Sequence, residues 1–395
     1  MKKKVLLGLS GGVDSAVAAY LLKKDGYDVT CAFMRNWDSL ANNDILGNPT
    51  IGEDVCPQEQ DYLDAKSVAD KLGLQLLRVD FVKEYWDHVF TKFLEEYKRG
   101  RTPNPDILCN KYIKFDAFLN FAIQNGFDMV ATGHYARVRH DESESIMLRG
   151  KDNNKDQTYF LCQLSQEALS HTYFPIGTLE KQEVRKIAEE LNLTSVSKKK
   201  DSTGVCFIGE RNFRQFLQNY LPSKSGHIVD INTLDVVGEH IGVLYYTIGQ
   251  RKGLGIGGSL GPWFVVGKDV EKNILYVCNG DENEWLYSDS CIVSNVNWIS
   301  GERPINEYQC SAKFRYRQKD HNVSIHFIDT NTVFVKSKHP IASVTCGQEA
   351  VFYNQEVCLG GGVIEEVFQN GVSIQEHIQR RVENERNTTN RKSLG

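Results

Sequence analysis

Residues 5–24 read VLLGLSGGVDSAVAAYLLKK. Val5 to Leu9 is a short apolar run, Ser10-Gly11-Gly12 breaks it, and the residues from Asp14-Ser15 onward suit a helix that Gly26 would stop. The parse is strand, glycine loop, helix. A helix N-terminus presents unpaired N–H groups and a partial positive charge, so it favours an anion. Gly11 and Gly12 permit close backbone approach, and Ser10 and Ser15 add hydroxyl donors. The stretch predicts a phosphate cradle, with a plain turn capped by Asp14 or Ser15 as the simpler alternative.

The loop is neither G-x-x-x-x-G-K-[ST] nor G-x-G-x-x-G, so it is not a Walker A or dinucleotide fingerprint. SGGVDS after a strand resembles the pyrophosphatase loop of enzymes that split ATP between its α and β phosphates. Working outward, Asp28–Met34, Gln75–Val79 and Asp128–Thr132 read as further strands. Between them, Gln58–Leu72 and Phe81–Lys98 carry apolar residues at helical spacing. This alternation predicts an α/β fold with a doubly wound parallel sheet whose ligand lies beyond the carboxyl ends of its strands. Residues 35–57, rich in Asn, Asp, Gly and Pro, read as a long surface insertion, and Gln157–Leu191 as mostly helical. Arg211–Leu221 reads as a helix. From about 283, six β-prone runs (290–298, 308–314, 323–328, 332–338, 348–353 and 357–365) predict a small antiparallel β-barrel. The tail from Glu376 reads as frayed. The expected domains are 1–207 (catalytic), 208–282 (small, mixed, central), 283–370 (barrel) and a flexible 371–395.

A chain of 395 residues is long for one domain, and a net charge of −5 gives no global basic footprint. Any nucleic-acid contact must therefore be a local patch. No apolar run reaches 18 residues and the first residues lack a signal or transit pattern, so a cytoplasmic protein without a membrane partner is expected. Ten cysteines occur, no two within four residues of each other, so no zinc spacing is present and no metal site is expected.

Two further stretches carry chemistry. In GRTPNPDILCNKYIKF (100–115), two prolines set an extended loop, Asp106 is placed to cap a helix, and Cys109 falls in its first turn, where a thiol's pKa drops. In SKKKDSTGVCFIGE (197–210), Cys206 follows three lysines, which also favour thiolate. Each cysteine could equally be a packed core residue. Lys313 to Arg317 interleave charge and aromatics, suited to phosphate contact and stacking. Gly253, Gly255 and Gly258 spell G-x-G-x-x-G, but a strand-like run follows where a helix is required, so the match is discounted in favour of a mobile glycine loop.

LSGGVDS, TPNPDILCNKYIKF, ATGHYARV, KDQTYFL, PIGTLEKQEVR, STGVCFIGER, YTIGQRKGLGIGG and KFRYRQ occur in that order. Over roughly 1–370 the chain thereby resembles the bacterial tRNA-specific 2-thiouridylases. The resemblance implies ATP-dependent replacement of the C2 oxygen of the tRNA wobble uridine by sulfur, with AMP and pyrophosphate released. It implies ATP with Mg2+ at Gly8, Leu9, Ser10, Gly11, Gly12, Val13, Asp14 and Ser15, with Met34 and Gly133 on the adenine and ribose side. It implies Asn104, Pro105 and Asp106 at the flipped base, Asp106 assisting proton transfer, Cys206 carrying a persulfide and Cys109 as partner thiol. Lys155, Asp156, Gln157, Arg315 and Tyr316 would touch tRNA, and His134 and Gln348 would fix or discriminate the base. The implied partners are tRNA and a sulfur-donor relay protein, with a monomer as the default. Asp106, Cys109 and Cys206 could alternatively ligate an iron–sulfur cluster. A small-molecule adenylating enzyme and a non-enzymatic RNA-binding protein are the rival readings.

Overall fold

The computed structural model describes residues 2–48, 57–199, 212–222, 224–257, 261–304 and 307–393. Cys206, Gly258 and part of the 35–57 stretch lie outside them.

The first strands and helices in chain order are β1 (Lys4–Gly8), α1 (Val13–Lys24), β2 (Asp28–Arg35), α2 (Pro57–Leu72) and β3 (Gln75–Asp80). The helix α3 (82–98) follows, with a π-helical middle at Trp86–Phe90, and then α4 (105–124), π-helical over Asn110–Ala117. Next come β4 (Met129–Ala131), the hairpin β5 (Ala136–His140) and β6 (Ser145–Arg149), β7 (Thr172–Tyr173) and α5 (Lys181–Glu190). Strands β3, β2, β1, β4 and β7 form a parallel sheet in that order. Its central strands read as unbroken apolar runs because both faces are covered. Val5 and Leu7 pack with Ala16, Val17, Val68 and Val184 on one face, whereas Leu6 joins Val89, Phe93, Ile113 and Phe118 on the other. The doubly wound reading therefore holds.

Three expectations are corrected. Residues 36–48 are only in part a surface insertion: Leu40, Ile45 and Leu46 are exposed, but Asn36, Trp37, Asn42 and Asp44 are buried. Trp37 is 2% exposed, with its ring 4.8 Å from that of Phe90 and 6.0 Å from that of Phe216. A large aromatic supplies more burial than the surrounding polar composition suggests. The stretch 157–191 is less helical than its pattern, and Thr172–Tyr173 become the edge strand of the sheet. The tail is not frayed at its start: a helix runs over Ile374–Ser393. Ile374, Ile378 and Val382 stand four apart and meet Val229, Val266 and Tyr276, a stripe too short to outweigh the charged residues around it.

The central domain begins with α6 (Phe213–Gln218) and holds β8 (Gly226–Asp230), β9 (Val236–His240), β10 (Trp263–Asp269) and β11 (Ile274–Asn279). They make one mixed sheet. The strand β10 confirms that no helix follows the G-x-G-x-x-G string. All six expected β runs of the third domain form strands: β12 (Tyr287–Trp298), β13 (Tyr308–Lys313), β14 (His321–Phe327), β15 (Val333–Ala342), β16 (Glu349–Asn354) and β17 (Val357–Gln369). Pairing of β12 with both β15 and β17 closes them into an antiparallel barrel. The barrel is joined to the first domain by strand addition, since β6 pairs β17 at Leu148 and Val357. There the Arg149 guanidinium lies 3.6 Å from the Tyr353 ring centre and 2.5 Å from Asp320.

Trp37 thus plugs the seam between the first and central domains. Replacing it by Ala should lower unfolding stability by ~3–5 kcal/mol, the usual cost of emptying a buried aromatic site. Urea unfolding would measure it, and a loss below ~1 kcal/mol would mean that the seam collapses around the vacancy.

Candidate active site

The loop after β1 turns on two serines. Ser15 Oγ accepts from Ser10 N at 3.2 Å, lies 3.1 Å from Ser10 Oγ and donates to Gly12 O at 3.1 Å. Gly12 is the N-cap of α1 and supplies no capping side chain. The first N–H groups of α1 are therefore left to an external acceptor, the geometry an anion needs. Gly133, just past β4, closes the other side. A Cβ there would lie 2.7 Å from Ser15 N and 2.8 Å from the Asp14 carbonyl carbon, so only glycine permits this approach. Gly8 lies against Met34 and Phe118. The expected nucleotide residues 8–15, 34 and 133 are thus brought together at the carboxyl edge of the sheet.

Three residues that sequence reasoning missed hold this loop. Lys181 Nζ donates to both Asp14 oxygens at 2.8 and 2.9 Å, and Tyr135 Oη donates to Asp14 at 2.8 Å. Lys199 Nζ donates to Gly11 O at 3.1 Å and to Asp61 and Asp64 at 2.5 and 2.9 Å. Lys199 belongs to the run read as three lysines beside Cys206, and nothing in the run marks which of them folds back. Tyr135 and Lys181 do stand inside two of the quoted strings, ATGHYARV and PIGTLEKQEVR, which was the available signal.

The second half of the site is the start of α4. Asn104, rather than Asp106, is its cap: its side chain accepts from Asp106 N at 3.2 Å, with Pro105 at the first helical position. Proline fits there because it needs no N–H partner, and Asn104 is held extended before it. Cys109 is the fifth residue of the helix and fully buried, one step beyond the expected first turn. Phe115 and Phe118 of the same helix reach the nucleotide side. The Phe115 ring centre is 5.9 Å from that of His134, and Phe118 Cε1 stands 3.8 Å from a Cβ position on Gly8. His134 Nδ1 lies 2.7 Å from Thr132 Oγ1. Burial, with Lys114 nearby, holds its pKa well below the usual histidine value, so it is neutral at physiological pH.

The remaining expected contacts are engaged within the protein. Asp156 is buried, accepting from Gly150 N at 3.0 Å and from Thr158 Oγ1 at 2.9 Å. Gln157 Oε1 accepts from Tyr135 N at 2.9 Å. Arg315 donates to Ile248 O at 2.5 Å and to Thr345 Oγ1 at 2.7 Å. Tyr316 sits over Phe160 with centroids 4.4 Å apart, its hydroxyl 3.5 Å from Lys155 O. Gln348 donates to Thr102 O at 2.7 Å, at the approach to Asn104. Among the described residues no three His, Cys, Asp or Glu side chains are grouped to hold a metal, and no helix is long and apolar enough to cross a membrane.

Comparison with known proteins agrees with this division. Residues 3–210 match a family described as the tRNA methyl transferase HUP domain. Residues 214–279 match its PRC-barrel domain, and 288–364 an aminomethyltransferase β-barrel domain. A Mycoplasma capricolum protein named tRNA-specific 2-thiouridylase MnmA is 58% identical over 376 residues, 93% of this chain and all of the relative. Proteins of the same name from Mesoplasma florum and Bacillus thuringiensis are 58% and 53% identical, covering 92% and 93% of the chain and 99% and 96% of the relatives. The chain belongs to the tRNA-specific 2-thiouridylase family. The family models speak of methyl transfer, whereas the near full-length relatives are named for thiolation. Identity above half along the whole chain makes the latter the better guide.

Two outcomes follow for this thiouridylase-family site. Gly133→Ala should push β4 off the start of α1 and weaken ATP binding ~10-fold or more, given the loss of close backbone approach. Equilibrium ATP titration would measure it, and unchanged affinity would remove the α1 N-terminus from the nucleotide site. Glu349 is buried near Lys111 of α4, and burial raises its carboxyl pKa well above the usual value. The folded state thus holds a proton that the unfolded chain has lost. Stability from this group is present below the unfolded carboxyl value and is lost as pH rises from there. Glu349→Gln should therefore flatten the decline in melting temperature from acidic toward neutral and alkaline pH; a parallel decline would reject it.

Proposed function

We propose that this enzyme is a tRNA 2-thiouridylase that uses ATP to replace the C2 oxygen of the wobble uridine with sulfur. The observation that most supports the reading is the packing of one helix on one loop. α4 begins at Asn104, buries Cys109 and lays Phe115 and Phe118 against His134 and Gly8 of the phosphate cradle. A base held at the start of α4 would then face a nucleotide held at the start of α1.

The chemistry requires this neighbourhood. A uracil C2 carbonyl is a poor electrophile. Its oxygen attacks the α-phosphorus of ATP, pyrophosphate leaves, and the base becomes an adenylate whose oxygen can depart with AMP. The cradle of residues 8–15 holds the pyrophosphate portion, where helix dipole and N–H groups offset its charge. The target base leaves the anticodon stack to reach Asn104, Pro105 and Asp106, with His134 and Gln348 at its border. Asp106 assists the proton transfers. A persulfide on Cys206 supplies the sulfur: its outer sulfur adds to C2 and AMP leaves. The Cys109 thiolate then attacks the inner sulfur, breaking the bond to the transferred atom and leaving a Cys109–Cys206 disulfide. An external thiol reductant restores both thiols, and a relay protein reloads Cys206.

Magnesium fits this scheme as a companion of the nucleotide. Asp14, the carboxylate in the loop, is already occupied by Lys181 and Tyr135. No step is routed through an iron–sulfur cluster, for which two thiols and a carboxylate are a short ligand set. We read the enzyme as a cytoplasmic monomer touching tRNA through Lys155, Asp156, Gln157, Arg315 and Tyr316.

Single-turnover reaction of wobble-uridine tRNA with ATP and a sulfur source tests the scheme. With a persulfide donor that loads Cys206, wild type should form thiouridine and AMP together while Cys109→Ser and Cys206→Ser both fail; free sulfide, which attacks the adenylate directly, should rescue both. AMP release with a small acid and no thiouridine would replace the proposal with a synthetase.

A further inference from the structure

The short loop ahead of Cys109 is held from the barrel side along its whole approach. Arg101 is 8% exposed. Its Nη1 donates to Glu365 Oε2 at 2.6 Å, its Nη2 to Ile364 O at 2.9 Å, and its Nε lies 2.9 Å from Glu96 Oε2. Glu365, on β17, is fixed in turn by Ser294 Oγ at 2.6 Å. Thr102 N donates to Cys346 O at 3.0 Å, and Thr102 O accepts from Gln348. The turn 345–348 packs so closely that a Cβ on Gly347, whose φ is +90°, would lie 2.9 Å from Thr102 N. Beyond Thr102 the chain is Pro103-Asn104-Pro105, where the prolines fix φ and restrict the residues before them. A displacement at Arg101 is therefore carried to the Asn104 cap rather than absorbed. The same barrel turn also holds Arg315, through Thr345 Oγ1.

We infer that Arg101 and Glu365 are positioning residues for thiolation: the ion pair between buried Arg101 and half-buried Glu365 locks the Asn104–Cys109 segment to the barrel turn that also holds Arg315. This rests on the function proposed above. The physical case is one of magnitude. Arg101 is buried, so removing Glu365 leaves its guanidinium desolvated with Glu96 as its remaining charged partner and without the bond that ties it to the barrel. A shift of ~1 Å in a reacting segment can cost ~100-fold in rate, so a clamp three residues from the cap can govern turnover without touching tRNA or ATP.

Two variants test it. Glu365→Gln removes one charge, and Gly347→Ala pushes on the loop while leaving the charges in place. In both, amide exchange of residues 101–110 should rise ~10-fold while the segment covering β1 and α1 exchanges as in wild type. Single-turnover thiolation at saturating ATP and tRNA should fall ~10-fold or more, with the KM for ATP and the Kd for tRNA within ~3-fold of wild type. Normal exchange and rate in both variants would overturn the inference. So would a rate loss explained entirely by weaker tRNA binding. If wild type forms no thiouridine, the proposed function fails, and unchanged exchange in 101–110 would still refute the clamp separately.

Discussion

Asp14 is the residue on which the geometry of the first domain turns. It sits in the first turn of α1, where a carboxylate is favoured by the helix dipole, and it gathers Lys181 from the start of α5 and Tyr135 from just before β5. One carboxylate thus ties together a strand end, two helix starts and the segment 155–157, because Gln157 holds the Tyr135 backbone. Lys181 is nearly buried, at 9% exposure, so leaving it without its anion would be far more costly than losing a surface pair. The result is a cradle whose N–H groups are unoccupied while its one carboxylate is already neutralised. An incoming polyphosphate therefore meets little repulsion.

The three domains are joined by different means, and each join lies near the site. Strand addition of the β5–β6 hairpin to β17 uses backbone hydrogen bonds and places residues 150–157 beside the barrel. Trp37 joins the first and central domains by apolar burial. The Arg101–Glu365 pair joins the loop ahead of α4 to β17 by a part-buried charge contact. Burial without direction sets the seam, and directional bonds set the loop. That division suits a site in which bulk placement tolerates small error but the approach to Cys109 does not.

The sheet and barrel were legible because their signals are local. Apolar strands beside a glycine loop, and six β-prone runs broken by turn residues, specify pairing partners with few alternatives. The strand, glycine loop and helix of residues 4–24 were legible for the same reason. The misses share a different cause. Trp37, Ile378, Lys181, Lys199 and Arg101 acquire decisive partners far along the chain, as Trp37 with Phe216 or Arg101 with Glu365. Composition around Trp37 and Ile378 described a polar surface or frayed tail, and only tertiary closure converts one apolar member into a buried contact. The cap of α4 was misassigned for a local reason: Asn104 and Asp106 both suit an N-cap, and the choice is made by Pro105, which fits the first helical position better than the second half of a loop.

The contacts of Arg315, a proposed tRNA contact, bear on how such a residue is held within the protein at rest. Its guanidinium donates to a carbonyl and a hydroxyl, and burial lowers its pKa. Both bonds already have an ionised donor, so a phosphate at the proposed tRNA contact would exchange two charge–dipole bonds for a charge–charge pair. Such an exchange would free Thr345 Oγ1 at one end of the turn whose other end, Gln348, holds Thr102. A cation resting on neutral acceptors is thus a place where substrate contact and loop geometry draw on the same few hydrogen bonds. The net acidic charge of the chain does not oppose it, because the attraction acts over a Debye length of ~8 Å at physiological salt, a distance at which local cations outweigh distant carboxylates.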